Sequence, residues 1–494
     1  MRTPSVKPPV TGLADLRTES RIIATPWSRM VRGIGLGQHP VGYDAAAADR
    51  IRHTFAALSA RGVEQNAYAR FARLLAEFAL EHAVSGAADP ARMQEIVAQA
   101  QAHPNPYFRV MAWCIAMDAF GKLGLGDELI SLPGTDIAGE LPAAVDAIEP
   151  DRIRDENSGR HGHYERLSAS SAMFLAMAQL GLGHRLTSGR RNYLLDALDL
   201  LDSVPSPFFR GRGGSVLMSA VALLGHEDLW RAGGRDRIAE TLNYLDRSGP
   251  GVTVPVFPQP MSRAFVEIYP LLTMLNTIAM SGRATEYLHH GRDRLAQADE
   301  LLRALRPVER THMGLYYIMA LHNLGRLEDQ LPAYDDFVEE LVGEWRNIDP
   351  GRNYFLNGIS YAYLIQAAVF TGRSDLVTDD FLNRLVDCFP DLDRTDDDRV
   401  NRPYPFAYAL NVLAEVGRDH LLFEPRPAYG GACAIDWVIS RLSPGAHREP
   451  RLYMLHHALI GYALRLRSPA PEAPVFRNFR FAADKLATGR AIRD

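Results

Sequence analysis

The sequence predicts an all-α protein: an α/α toroid of six or seven helical hairpins with an extra N-terminal helical region. Three observations predict it. From about residue 105, apolar helical segments recur, and nearly all stop at a glycine followed by a polar residue, as in LGHED, LGRLE and TGRSD. Gly183, Gly225, Gly282, Gly325, Gly372 and Gly417 are separated by 42, 57, 43, 47 and 45 residues. That length holds two helices and two turns. Second, the helices alternate in character. Third, strand signals are few; VTVPVFPQP at 252–260 reads as a loop or a short strand.

Residues 1–42, rich in Pro and Gly, read as an extended arm. Residues 43–150 carry the N-terminal helical hairpins, beginning at AAAADRIRHTFAALSARG. A polar stretch at 146–162 marks a boundary, the toroid follows over 151–467, and 468–494 form a tail. Within the toroid, segments such as RDRLAQADELLRAL and YDDFVEELVGEW have one charged face and suit an outer layer. Segments such as MGLYYIMALHNLG, AFVEIYPLLTMLNTIAMSG and YFLNGISYAYLIQAAVFTG are apolar nearly all round and must be buried on every side. Strict alternation of the two kinds is what a toroid requires. A solenoid would keep one polar concave face.

Composition narrows the functional classes. A net charge of −5 argues against general nucleic-acid binding. Only Lys7, Lys122 and Lys485 are lysines, so almost every cation is an arginine fork suited to carboxylate or phosphate. Cys114, Cys388 and Cys433 lie far apart and form no CxxC pair, which suits a reducing compartment. The N-terminus lacks an apolar signal core, and no run reaches the roughly eighteen apolar residues of a membrane span. The expectation is a cytoplasmic protein, with a homodimer left open.

If outer and inner helices alternate antiparallel, all inner N-termini share one end. The residues there are Arg210 and Arg212; Arg263; Arg310 and His312; Arg352, Asn353 and Tyr354; Arg402 and Tyr404; and Arg451, with Tyr408 a turn further in. Helix N-termini favour anions, so an arginine ring there asks for a phosphate, diphosphate or carboxylate. Acidic loop residues of the protein itself would serve equally.

The stretch PDLDRTDDDR brings Asp391, Asp393, Asp396, Asp397 and Asp398 in front of an inner helix. Crowded carboxylates raise one another's pKa, so one can act as a general acid. They also suit Mg²⁺ as the bridge to a diphosphate, or simply form a solvated cap. His163, Tyr164 and Glu165 make the densest acid–base cluster, but no second cluster at zinc spacing accompanies it, so a bound metal is not expected there. His456 and His457 are adjacent, point to different faces, and read as satisfied buried histidines. Aromatics such as Phe265, Tyr269, Tyr316, Tyr363 and Tyr408 fall on the inner helices. They pack a core, and their faces also suit a transient cation.

A ring of alternating helices with aromatic inner walls and an Asp-rich segment before an inner helix resembles the squalene and class II terpenoid cyclase superfamily. That family carries a DxDD motif whose middle Asp protonates an alkene or epoxide. Here Asp391-Leu392-Asp393 continues with Arg394, the triple Asp396-Asp397-Asp398 follows, and the family's repeated Gln-Trp motifs are absent. The resemblance implies a cytoplasmic cyclase of lyase or isomerase type. Its substrate would be a small hydrophobic anion of isoprenoid class. The proton donor would be an acid among Asp391–Asp398, or Glu165 with His163. A second resemblance, to α/α-toroid polyuronate lyases and glycoside hydrolases, would use Arg352, Asn353, Tyr354, His163 and Tyr164 on an acidic sugar. A third reading is a non-enzymatic repeat scaffold holding an acidic partner in its bowl.

Overall fold

The computed structural model describes residues 40–62, 67–149, 162–247, 261–347, 354–390, 403–442 and 450–468. Every regular element among them is helical. Eighteen helices carry the architecture. They are α1 (Ala45–Ala60), α2 (Ala67–Ser85), α3 (Pro90–Gln101), α4 (Pro106–Lys122), α5 (Ile137–Asp146), α6 (Gly162–Gln179), α7 (Tyr193–Asp199), α8 (Pro207–Leu223) and α9 (Arg237–Asp246). They continue with α10 (Arg263–Met280), α11 (Arg294–Arg303), α12 (Pro307–Asn323), α13 (Tyr334–Arg346), α14 (Tyr354–Thr371), α15 (Asp379–Asp387), α16 (Pro403–Glu415), α17 (Ala434–Ser440) and α18 (Pro450–Arg465). Short helices and 3₁₀ turns fill the connections.

Odd-numbered helices are mostly amphipathic, and even-numbered ones from α4 on are buried around most of their circumference, whereas α2 keeps Arg70 and Glu81 exposed. In α4 every residue from Val110 to Lys122 is buried, and in α12 all but Arg310 and His322 from Val308 to Asn323. Each even helix packs on its odd partner and on the next even helix. The series runs α2, α4, α6, α8, α10, α12, α14, α16, α18, and α18 packs on α2. Helix α1 in turn packs on α17 and α18.

The recurring glycine has a local cause. Helix α4 ends at Lys122, and Gly124 follows at φ +78°. The Gly124 N–H donates to Gly121 O and the Leu125 N–H to Phe120 O. This pair of bonds satisfies carbonyls the helix leaves open and needs a left-handed residue, which glycine adopts without strain. The same pair recurs around Gly181, Gly225, Gly325 and Gly417, so the repeat is a helix-stop signal. At the end of α6 the left-handed residue is Gly181; Gly183, the glycine expected from sequence spacing, opens a 3₁₀ turn instead. Starts are set by side-chain caps: Asp44, Asp89, Asn105, Asp136, Asn192, Asp236, Ser262, Asp293 and Thr378 each accept a first-turn N–H.

Paired contacts fix the direction of neighbouring inner helices. Ser215 Oγ donates to Thr273 O and Ser219 Oγ meets Thr277 Oγ1, both across 58 residues. Tyr269 meets Tyr316 and Asn276 meets Asn323, both across 47. A constant offset at two points along two helices means that they run parallel, so α8 is parallel to α10 and α10 to α12. Gly211 lets α8 come close: a Cβ there would stand 2.6 Å from Pro270 Cβ, inside α10.

Candidate functional site

At the polar end expected from the sequence, Arg210, Arg263 and Arg310 are paired with acids of the protein itself. Arg210 and Arg212 are not in a preceding loop, because α8 begins at Pro207 and takes both into its first turns. Arg210 binds Asp202 at 2.9 Å and lies over the Tyr244 ring, both of the outer layer. Arg310 pairs with Glu340 and Glu344 on α13. Arg263 pairs with Glu267 one turn along its own helix, at 2.5 Å. Acids within reach, on the outer layer for Arg210 and Arg310 and on α10 itself for Arg263, neutralise these guanidinium groups.

The anion wanted at these helix starts is supplied by the protein itself. The Glu309 carboxylate, in the first turn of α12, is fully buried. It accepts from Ser262 N at 2.7 Å, Ser262 Oγ at 2.6 Å and the Arg306 guanidinium. Burial alone would raise its pKa, but Arg306 and Ser262 together hold it below the ordinary carboxylate value.

The acid–base trio is likewise dispersed. Tyr164 is buried between α6 and α8, its ring 4.8 Å from that of Phe209. His163, half-buried, and the buried Glu165 flank it at helical steps, which turn consecutive side chains to different sides. His163 Nδ1 has no hydrogen-bond partner among the described residues. Asp391, Asp393, Asp396, Asp397, Asp398, Arg352, Asn353 and Arg402 lie outside the described residues. So do the side chains of Tyr354, Tyr404 and Arg451. Among the described residues no group of three or more His, Cys, Asp or Glu is placed to hold a metal ion. No helix there is long and apolar enough to cross a membrane.

What the structure does bring together is Arg212, His312 and four tyrosines on five successive inner helices. Tyr269 (α10) and Tyr316 (α12) share a hydroxyl–hydroxyl hydrogen bond of 2.7 Å. Tyr316 and Tyr363 (α14) share another of 3.0 Å. The Tyr408 ring (α16) meets the Tyr363 ring edge-on at 5.7 Å. His312 stands one turn before Tyr316 and 4.7 Å from the Tyr363 ring. The Arg212 guanidinium lies 4.2 Å from the centre of the Tyr269 ring and 5.2 Å from that of Phe208. All six residues are at most 4% exposed.

Their electrostatics follow from burial. The Tyr316 and Tyr363 hydroxyls are pushed well above the ordinary phenol value, chiefly by desolvation, and stay protonated donors. His312 is pushed down to about 3, by burial first and by the Arg212 charge second, so it is a neutral imidazole. Its Nδ1 has no hydrogen-bond partner among the described residues. The set therefore offers the neutral Tyr316 and Tyr363 phenols, one fixed cation and one neutral imidazole, all buried.

The sequence reading held His312, Arg212 and Tyr408 as binding residues and the other tyrosines as wall aromatics, but not as one group. A register signal was present. Tyr316, Tyr363 and Tyr408 each stand nine residues before a helix-ending glycine, at 325, 372 and 417.

A second buried cluster lies where α18 meets α2. Tyr68 is hydrogen-bonded to His457, and its ring lies 4.3 Å from that of Tyr453. His103 Nε2 approaches Tyr453 Oη at 3.4 Å. His457 is satisfied, as expected. His456 is not: it is fully buried and neither ring nitrogen has a partner among the described residues.

No family model, no curated protein and no solved structure matches this chain.

Proposed function

We propose that the helices close into an α/α toroid of nine pairs, the N-terminal ones included, in place of the six or seven hairpins with a separate N-terminal region expected from the sequence, and that its inner wall forms the chamber of a terpenoid cyclase-like enzyme. The contact series that leaves α2 and returns to it through α18 supports the closed ring. The substrate would be an isoprenoid, a prenyl diphosphate or related polyene, turned over by acid-initiated carbocation chemistry.

The observation that carries this reading is the enclosed band of Tyr269, Tyr316, Tyr363 and Tyr408 with His312 and Arg212. Aromatic faces stabilise a developing cation by their quadrupole, and exclusion of water strengthens that attraction. The phenols stay neutral, so they present faces and hydroxyl donors without adding charge. The initiating proton is assigned to an acid among Asp391–Asp398, or to Glu165 with His163. The anchor assigned to an anionic group is Arg212, which lies against Tyr269.

The test is incubation with farnesyl and geranylgeranyl diphosphate, with and without Mg²⁺, followed by gas chromatography–mass spectrometry. A cyclic product that disappears in the Tyr316→Ala variant is the expected result. Absence of turnover with every prenyl substrate sinks the reading.

One observation favours a second reading. Arg212, His312 and Tyr316 combine a cation, a neutral imidazole and a phenol, the parts needed to neutralise a carboxylate and remove an adjacent proton. This suits elimination on an acidic sugar. Growth of ultraviolet absorbance from an unsaturated product on uronate oligomers would select it.

A further inference from the structure

The contact between the first and last helix pairs joins segments far apart in the chain, 369 and 412 residues at Arg50. Its rim is polar. Arg50 on α1 binds Asp419 at 3.0 Å and Tyr462 Oη at 3.1 Å. Arg61 donates to the carbonyls of Leu442 at 3.0 Å and Ser440 at 2.5 Å. His53 Nε2 faces Asp436 at 3.3 Å. Val41 N donates to Arg465 O at 2.8 Å and Gly42 N to Arg467 O at 3.1 Å. Its centre is a packed group of rings with His456 inside it.

His456 is stacked on Phe55 of α1, with ring centres 6.4 Å apart and planes at 12°. Tyr68 of α2 faces it at 6.3 Å and Tyr453 of its own helix at 6.5 Å. The Tyr68 hydroxyl is occupied by His457. His103, before α4, stands beyond Tyr453, and burial lowers its pKa below the ordinary imidazole value. Neither nitrogen of His456 has a partner among the described residues, although a buried polar group without a hydrogen bond is costly. An imidazolium would place two N–H donors and a charge in that space, beside His457.

We propose that the seam between α18 and the α1–α2 pair is an acid-sensitive latch, with His456 as the group whose protonation releases it. His456 cannot take a proton where it sits, so the protonated form exists only with the ring expelled and the Phe55–His456–Tyr68 packing broken. The rim does not depend on that ring: Arg50 holds Asp419 and Tyr462, and Arg61 holds two backbone carbonyls. Mild acid therefore loosens the seam while the rim still holds the first and last helix pairs together. Seen with the closed-ring reading, the latch is the place where the ring opens; the seam contacts themselves do not depend on it.

Hydrogen exchange of the whole chain at pH 7 and pH 5, corrected for intrinsic rates, tests the latch. Expected is a loss of protection in α1, α2 and α18 of about tenfold per pH unit below 6.5, with α8 and α16, which carry no histidine, changed less. His456→Phe, which keeps the stack on Phe55, removes the seam response; His312→Phe leaves it. Equal loss over all inner helices, or an unchanged seam response in His456→Phe, overturns the proposal. Should that variant not fold, ring-nitrogen NMR of the unaltered protein decides. A His456 that titrates near 6.5 while its Phe55 and Tyr68 contacts persist overturns the proposal, and one that stays neutral until α18 loses protection supports it.

Discussion

The hydroxyl groups of Tyr269 and Tyr316 lie 2.7 Å apart although 47 residues separate them, and Tyr316 passes the contact on to Tyr363 at 3.0 Å. The middle tyrosine thus ties three inner helices together. In a dry interior each hydroxyl must find a partner, so the chain of bonds matters most at its centre.

Tyr316→Phe removes that centre and takes one partner from each of two buried hydroxyls, while Tyr363 keeps its bond to Tyr408. A loss of about 1–3 kcal/mol in urea-induced unfolding is expected. Tyr317→Phe, on the neighbouring residue that faces the Phe337 ring of α13, serves as the control and should cost less. Equal costs would mean that the hydroxyl chain adds nothing beyond packing.

Glycines in the helices separate by what surrounds them. A Cβ at Gly211 would stand 2.6 Å from the rigid Pro270 ring, whereas Gly343 has nothing within 4 Å. Gly211→Ala should therefore destabilise by about 1–3 kcal/mol through overpacking of α8 on α10. Gly343→Ala should stabilise α13 by up to ~1 kcal/mol through helix propensity. Chemical denaturation midpoints should move in opposite directions.

The helix-stop glycines make a third contrast. Gly417 is at φ +68° with open space around it, so Gly417→Ala meets no clash and pays only the left-handed conformation. The expected cost is about 1–2 kcal/mol, with the helical circular dichroism unchanged. A neutral substitution would mean that the end of α16 can relax out of that conformation.

Stability should fall in acid. His312 and His456 are both pushed down to about 3 by burial, against 6.5 when unfolded. Above 6.5 neither state is protonated and they contribute no pH dependence. Between 6.5 and 3 the unfolded chain binds protons the folded one refuses, so each site removes up to ~1.4 kcal/mol per pH unit. Glu309, depressed by Arg306 and Ser262 against burial, adds a loss in the same direction as pH falls through its folded value. Unfolding midpoints at pH 7, 6 and 5 should decline steadily, and His312→Phe and His456→Phe should each flatten the slope. A flat profile over that range in the unaltered protein would show that these imidazoles are not buried as neutral groups.

The helical class, most of the glycine stops and the alternation of amphipathic and buried helices were legible in the sequence, because each follows from rules acting within a turn or two; at α6 the stop is Gly181 and not Gly183. LGRLE ends a helix for the same local reason as LGHED, and MGLYYIMALHNLG cannot be an exposed helix in any context. The site was legible only in pieces. Arg210 and Arg310 stand at inner-helix starts as Arg212 does, but their partners Asp202, Glu340 and Glu344 belong to outer helices whose facing acids only packing selects.

By itself the sequence determined which segments are helices, where they stop and which are buried, since capping, left-handed glycines and hydrophobic periodicity are local. Tertiary structure alone decided that Tyr269, Tyr316, Tyr363 and Tyr408 meet, that Arg212 rather than Arg210 lies against them, and that Tyr68 reaches His457 across 389 residues. Those contacts depend on the offset and direction of neighbouring helices. That geometry is set by the packing of whole faces, such as Gly211 against Pro270, and not by any one segment's own residues.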